Sequence, residues 1–141
     1  MNNTKGVFAL SLVPFVLAGC LTANPPKPDE IRAANYGTKP STTEMVSAVK
    51  NHMSKQLIDP YSAVYACSNP TKAWVTGGSG SEGNVQFNKT YYGYLSTCTI
   101  NAKNKLGGYT GSKEYDFMIY VQNGERYLAH FDGYGAAGQV P

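Results

Sequence analysis

The chain has 141 residues, of which 15% are charged and 12% are aromatic, and its formal net charge is +3. This length allows one small domain, because a chain of this size buries enough surface for a single core. The charges are scattered, which excludes a chain that is mainly a disordered acidic or basic tail. A nucleic-acid binder would show a clustered basic stripe, and the sequence has none.

Residues 1–19 have the organisation of an export signal. Lys5 provides a positive charge, and an apolar run over residues 7–17 is too short to cross a membrane as a helix. The run ends in Leu17-Ala18-Gly19-Cys20, which resembles the lipobox of bacterial lipoproteins. In that family diacylglycerol is attached to the cysteine, the signal is cut before it, and the new amine is acylated. The alternative is an ordinary secretory signal with a chance cysteine.

The lipobox resemblance also implies a location. Two or more acyl chains on Cys20 would attach the protein stably to a membrane. Leu21 follows the cysteine directly. In enteric-type bacteria, an aspartate at this position retains lipoproteins in the inner membrane, so a leucine there favours transfer to the outer membrane. The resemblance therefore implies the bacterial envelope, at the outer membrane and facing the periplasm. That compartment is oxidising, so cysteines there are free to pair.

The composition divides the remaining chain into three parts. Residues 20–41 are predicted to form a lipidated, proline-rich tether, because they lack helical or strand periodicity. Residues 42–131 carry the periodic patterns of a folded domain. The glycine-rich residues 132–141 are expected to form a flexible tail.

An amphipathic helix is predicted to begin at the start of the domain. Ser41 and Glu44 have the spacing of a capping box. Pro60 should end the helix after about four turns, because proline disfavours helical backbone at the residue before it. The apolar residues that recur at helical spacing are Met45, Val46, Val49, Met53 and Leu57.

The rest of the domain has the composition of strands. Residues 62–67 and 73–76 are β-type runs separated by a predicted turn at 68–71, and further strands are predicted at 85–87 and 91–102. In the longest run, Cys98 and Ile100 share one face, and Tyr91 and Leu95 share the other.

The last two predicted strands form a hairpin. Asn123-Gly124 separates two aromatic-rich runs, and this dipeptide suits a two-residue turn in which both residues have positive φ. The turn fixes the register, so that Val121 faces Arg126 and Phe117 faces His130. The predicted architecture is α+β, with one N-terminal amphipathic helix packed on an antiparallel sheet of four to five strands. Phe117, Ile119 and Leu128 form the core side, whereas Met118, Tyr120 and Tyr127 face a second layer or a contact surface.

The two remaining cysteines, Cys67 and Cys98, lie within predicted strands and are predicted to form a disulfide. The alternatives are two free buried thiols or a redox pair. A thioredoxin-like role is disfavoured, because the sequence has no Cys-x-x-Cys motif.

The sequence predicts no catalytic set, metal site or cofactor. His52 and His130 are the only histidines, neither has Cys, Asp or Glu at ligand spacing, and His52 is expected at the surface. Residues 78–83 approach a nucleophile elbow without the strand-turn-helix context. Residues 107–113 lack the Gly-Lys-Ser/Thr end of a phosphate loop.

Several short motifs are similar to a group of small bacterial lipoproteins of unassigned function. They are residues 57–63, Trp74, residues 92–94, residues 101–111 and residues 115–119. The resemblance implies no activity. The glycines of the 101–111 motif favour a tight connection that presents Tyr109 on a stiff loop. With Lys103 and Lys105, Tyr109 is a candidate partner-binding site. The alternative is that this segment only connects two strands.

Three classes of function follow from these observations. The favoured one is a noncatalytic lipoprotein, anchored in the membrane by its acyl chains, that binds or assembles an envelope protein complex. The second is an inhibitor or ligand-binding lipoprotein, for example one that inserts the 105–112 loop into a cell-wall hydrolase. An enzyme is the least favoured class.

Overall fold

The computed structural model describes residues 24–78, 82–133 and 135–141. The predicted signal at 1–19 and the lipidation site Cys20 lie outside the described residues. Within these ranges, two helices and seven strands follow one another: α1 (Pro28–Ala33), α2 (Thr42–Met53), β1 (Asp59–Cys67), β2 (Thr71–Thr76), β3 (Glu82–Gly83), β4 (Thr90–Lys103), β5 (Lys113–Gln122), β6 (Glu125–Asp132) and β7 (Ala136–Gln139). None of the helices in the described ranges is long and apolar enough to span a membrane.

The predicted α+β class is confirmed, and the sheet is larger than predicted. It contains seven antiparallel strands instead of four to five. The strand order is β3-β6-β5-β4-β2-β7, and β1 also pairs with β4. The extra strands are β3 and β7, which are short and rich in small or polar residues, so they lack the apolar alternation of a half-buried strand.

Strand β4 lies at the centre of the sheet. One of its edges pairs with β5, and its other edge pairs first with β2 and then with β1. The turn predicted at 68–71 is therefore wrong, because β1 and β2 run in the same direction along β4. The pairs Cys67↔Cys98 and Thr71↔Leu95 differ by one residue in register, so the segment between β1 and β2 is a local bulge.

The hairpin prediction is confirmed in both turn and register. Asn123 and Gly124 have φ values of 54° and 80°, as a tight turn between twisted strands requires. The β5–β6 ladder pairs Val121 with Arg126 and Phe117 with His130. The core side of the hairpin is thereby fixed by the turn.

Helix α2 packs on that core side. The Ser41 hydroxyl accepts a hydrogen bond from the Glu44 amide at 3.1 Å, and the Glu44 carboxylate accepts one from the Ser41 amide at 2.6 Å. The helix ends at Met53, about one turn earlier than predicted, because the chain turns there and Asp59 joins β1. The first core contains Met45, Val49, Met53, Cys98, Ile100, Phe117 and Ile119, with Leu57 and Leu128 packed against it.

A second core fills the opposite face of the sheet. Its buried members are Ala73, Val75, Tyr91, Met118, Ala129 and Phe131. Residues 84–88 cross this face from β6 to the end of β2. Residues 85–87 are therefore not the strand that was predicted, and Val85 packs against the second core from outside the sheet. The apolar second face thus has a cover supplied by the chain itself.

The predicted flexible tail contains an ordered strand. Residues 136–139 form β7, which pairs with β2 from Thr76↔Ala136 to Ala73↔Gln139. Gly138 permits this pairing, since a Cβ there would lie 2.6 Å from the Trp74 indole nitrogen. The glycines and alanines that indicated a loose tail instead allow the close approach of a tryptophan ring.

The predicted tether is also partly folded. Residues 28–33 form α1, and both Tyr36 and Pro40 are buried. The Tyr36 hydroxyl donates a hydrogen bond to the Ile31 carbonyl oxygen at 2.8 Å, and its ring packs edge-on against Tyr92. The proline content predicted extended backbone, but the packing of Tyr36 on Tyr92 holds this segment against β4.

The predicted disulfide is present and joins Cys67 of β1 to Cys98 of β4. The two residues face each other across the ladder, and Cys98 is fully buried in the first core. The disulfide therefore links the edge strand β1 to the central strand.

Replacing both cysteines by serine should lower the free energy of unfolding by about 3 to 4 kcal/mol. The bond closes a loop with a sequence separation of 31, and chain-entropy arguments give this magnitude. Denaturant unfolding of the oxidised protein and the double variant measures the difference, with the reduced wild type as a control. Coincident unfolding curves would contradict the prediction.

Candidate functional site

A group of exposed aromatic, apolar and basic side chains lies where β4 ends and β1 begins. Tyr61 is 100% exposed, Leu106 is 94% exposed and Tyr109 is 52% exposed. Lys103 and Lys105 belong to the same region. We call these five residues the distal patch. Large apolar side chains at such exposure are typical of contact surfaces when they occur together.

The loop between β4 and β5 is held by its own hydrogen bonds. The Asn104 side-chain oxygen accepts bonds from the amides of Leu106 and Gly108 at 2.9 and 3.2 Å. Gly107 has a φ of 79°, a backbone conformation that residues with a Cβ rarely adopt. The loop is therefore preorganised, in agreement with the stiff connection that the sequence predicts.

The β1 segment is attached to this loop through Tyr109. The Tyr109 hydroxyl donates to the Ser62 carbonyl oxygen at 3.3 Å. The Lys103 ammonium lies 5.4 Å from the centre of the Tyr109 ring, within the range of a cation–π contact. Of the three predicted partner-binding residues, the structure brings Lys103 and Tyr109 together, and Lys105 is exposed on the same loop. Tyr61 was missed, because its exposure results from a bulge in β1.

The distal patch and the N-terminal segment occupy opposite ends of the sheet. Tyr36 packs on Tyr92 near the start of β4, whereas Lys103 is the last residue of β4. Lys103 lies eleven residue steps beyond Tyr92 along the extended strand, a distance of about 36 Å at ~3.3 Å per step. The described chain therefore enters the domain at the end remote from the patch.

The structure also brings together the two histidines. His52 Nε2 lies 3.3 Å from His130 Nδ1 and 2.8 Å from Nε2 of the Gln56 side chain. His130 is only 4% exposed, and its ring stacks on Phe117 with 4.8 Å between ring centres. His52, which was expected at the surface, is half-buried, and its side chain lies at the interface of α2 and β6.

No local signal in the sequence indicates this histidine pair. The two residues are 78 positions apart and meet only because α2 crosses the sheet next to β6. Burial and the charge of Lys55 lower the pKa of His52 below its ordinary value of 6.5. Within residues 24–78, 82–133 and 135–141, no group of three or more His, Cys, Asp or Glu side chains is placed to hold a metal ion.

Comparisons with protein-family models, with curated proteins and with solved structures found no match to this chain.

The half-buried position of His52 predicts a specific dependence of stability on pH. Because the pKa of His52 is lowered in the folded state, the unfolded chain takes up a proton first as the pH falls below about 6.5. The folded protein should therefore lose stability in acid, and His52→Gln should lose less than the wild type. Melting temperatures of both proteins at pH 7.5 and 5.5 test this, and equal losses would show that His52 does not contribute.

Proposed function

We propose that the protein is a membrane-anchored, noncatalytic lipoprotein whose domain binds another protein of the bacterial envelope. The observation that carries this proposal is the distal patch, in which exposed tyrosines and a leucine lie beside lysines on a preorganised loop. Tyrosine is among the residue types that contribute most to binding at protein interfaces. A preorganised loop also loses little conformational entropy on binding.

The position of the patch supports the same function. The lipidation site proposed at Cys20 precedes the described chain in the sequence, and the N-terminal described segment packs through Tyr36 near the start of β4, at the end of the sheet remote from the patch. The patch would then point away from the anchoring membrane. In this arrangement the domain presents the distal patch to a partner in the periplasm, while the N-terminal segment fixes it to the outer membrane.

A second candidate function is inhibition of an enzyme by the loop of residues 105–112. Leu106 projects from this loop with 94% of its surface exposed. A projecting apolar side chain on a stiff loop suits insertion into a cleft. This function predicts a single partner, such as a cell-wall hydrolase, whereas the assembly function predicts a complex of several proteins.

The lipid anchor is tested by Cys20→Ala. The variant should remain as an unprocessed precursor, because the acylated residue and the cleavage position depend on the cysteine. Mass spectrometry of the membrane fraction should find a diacylated or triacylated N-terminus on the wild type only. A soluble wild-type protein that begins at another residue would overturn the anchor.

The partner surface is tested by Tyr109→Ala. Recovery of the partner in a pull-down from envelope extracts should weaken by the equivalent of about 1 to 2 kcal/mol, because a half-exposed tyrosine anchor is removed. The melting temperature should change little. Tyr127→Ala is the matched control, since Tyr127 is 43% exposed but lies near the Asn123-Gly124 turn.

Each outcome of this experiment is informative. Equal losses for Tyr109→Ala and Tyr127→Ala would show that the distal patch is not the binding surface. A partner set of several proteins in fixed ratio supports assembly, and a single hydrolase supports inhibition.

A further inference from the structure

Strand β1 has an open edge next to a groove. β4 is the only strand that pairs with β1 in the described part of the chain. A groove of about 480 Å³ lies between β1 and the C-terminal half of α2. It is lined by Lys50, Ser54, Pro60, Tyr61, Ala63 and Tyr65. Its volume is within the range of ligand pockets, which span about 300 to 1,000 Å³.

The open edge consists of the regular part of β1. Residues 64–67 pair in register with 98–101, whereas the preceding segment is a bulge between Asp59 and Val64. The Ser68 amide donates to the Thr97 carbonyl oxygen, so the alternate amides of Tyr65 and Cys67 point away from β4. No backbone partner of these two amides is present among the described residues. Unpaired strand groups of this kind accept a further strand.

On the same side of the sheet, the neighbouring strand β2 already pairs with an additional strand. β1 and β2 lie in line along β4, and β7 pairs with the outer edge of β2. The Val140 amide extends this pairing to the Lys72 carbonyl oxygen, where the ladder stops. The side of the sheet that β1 and β2 share therefore accepts an antiparallel strand along β2 and leaves the length of β1 open.

The groove has an electrostatic preference. The Lys50 ammonium lies 5.6 Å from the centre of the Tyr65 ring, and no carboxylate of the described residues is within ion-pair distance of it. An acidic side chain on an incoming strand would find a cation here. The disulfide at Cys67 holds the edge in place, so little ordering is required on binding.

We propose that this groove binds an extended peptide segment of a partner protein, which adds as a strand to residues 64–67 and directs an acidic side chain to Lys50. Backbone hydrogen bonds from Tyr65 and Cys67 would give the affinity, and Lys50 would give the preference for acidic sequences. The inference deepens the proposed function, on which it rests, by naming the chemistry of the bound partner.

Three capped six-residue peptides test the proposal on the isotope-labelled protein by NMR titration. Valine and threonine alternate in each peptide, and one position is Glu, Gln or Lys. The Glu peptide should shift the amide signals of Tyr65 and Cys67 and slow their hydrogen exchange. The Gln peptide should bind at least about threefold more weakly, and the Lys peptide more weakly still, because an exposed ion pair contributes modestly.

Charge reversal distinguishes specific binding in this groove from nonspecific peptide binding. Lys50→Glu should reverse the order, so that the Lys peptide binds best. Lys55→Glu is the matched control and should keep the wild-type order, since Lys55 is exposed near the same helix end but does not line the groove. An unchanged order in Lys50→Glu, or no response from the amides of residues 64–67, would overturn the proposal.

Two further results have clear meanings. Without peptide, the hydrogen exchange of the same amides could slow as the protein concentration rises. This result would assign the edge to a second copy of this chain and would overturn the peptide proposal. Tyr109 does not line the groove. A failed peptide titration therefore leaves the Tyr109→Ala pull-down as an independent test of the proposed function.

Discussion

The architecture depends on the length of β4. This strand has 14 residues, and both of its edges are paired, with β5 on one side and with β2 and β1 in succession on the other. Its two faces supply Cys98 and Ile100 to the first core and Tyr91 to the second. Because β4 carries both Tyr92, on which the N-terminal segment packs, and Lys103 of the distal patch, its length also sets the distance between these two regions.

The elements that the sequence predicted well have strong local chemistry. The hairpin turn needs two residues that tolerate positive φ, and Asn123-Gly124 satisfies this need, so the register of the whole β5–β6 ladder follows. The start of α2 is likewise determined by a reciprocal pair of hydrogen bonds between Ser41 and Glu44. In both cases the deciding interaction joins residues no more than three positions apart in the sequence.

The elements that were missed depend on contacts between distant residues. β7 is composed of small and polar residues, and it becomes a strand because Gly138 fits under Trp74. The segment between β1 and β2 has the composition of a turn, but the same residue types also suit a bulge when a long strand pairs with both neighbours. For the candidate site, the loop with Lys103 and Tyr109 was predictable from its glycines. The exposure of Tyr61 and the meeting of His52 with His130 were not.

The position of the disulfide has a consequence for how the chain folds. The bond encloses β2, β3 and the crossing segment, all of which lie between Cys67 and Cys98 in the sequence. Once it has formed, the first contact between β1 and β4 no longer requires a search over the intervening chain. Pairing can then extend residue by residue from the linked site, and distant contacts are the ones that slow folding. The oxidised chain should thus refold faster than the reduced chain, with β4 and its neighbours assembling first.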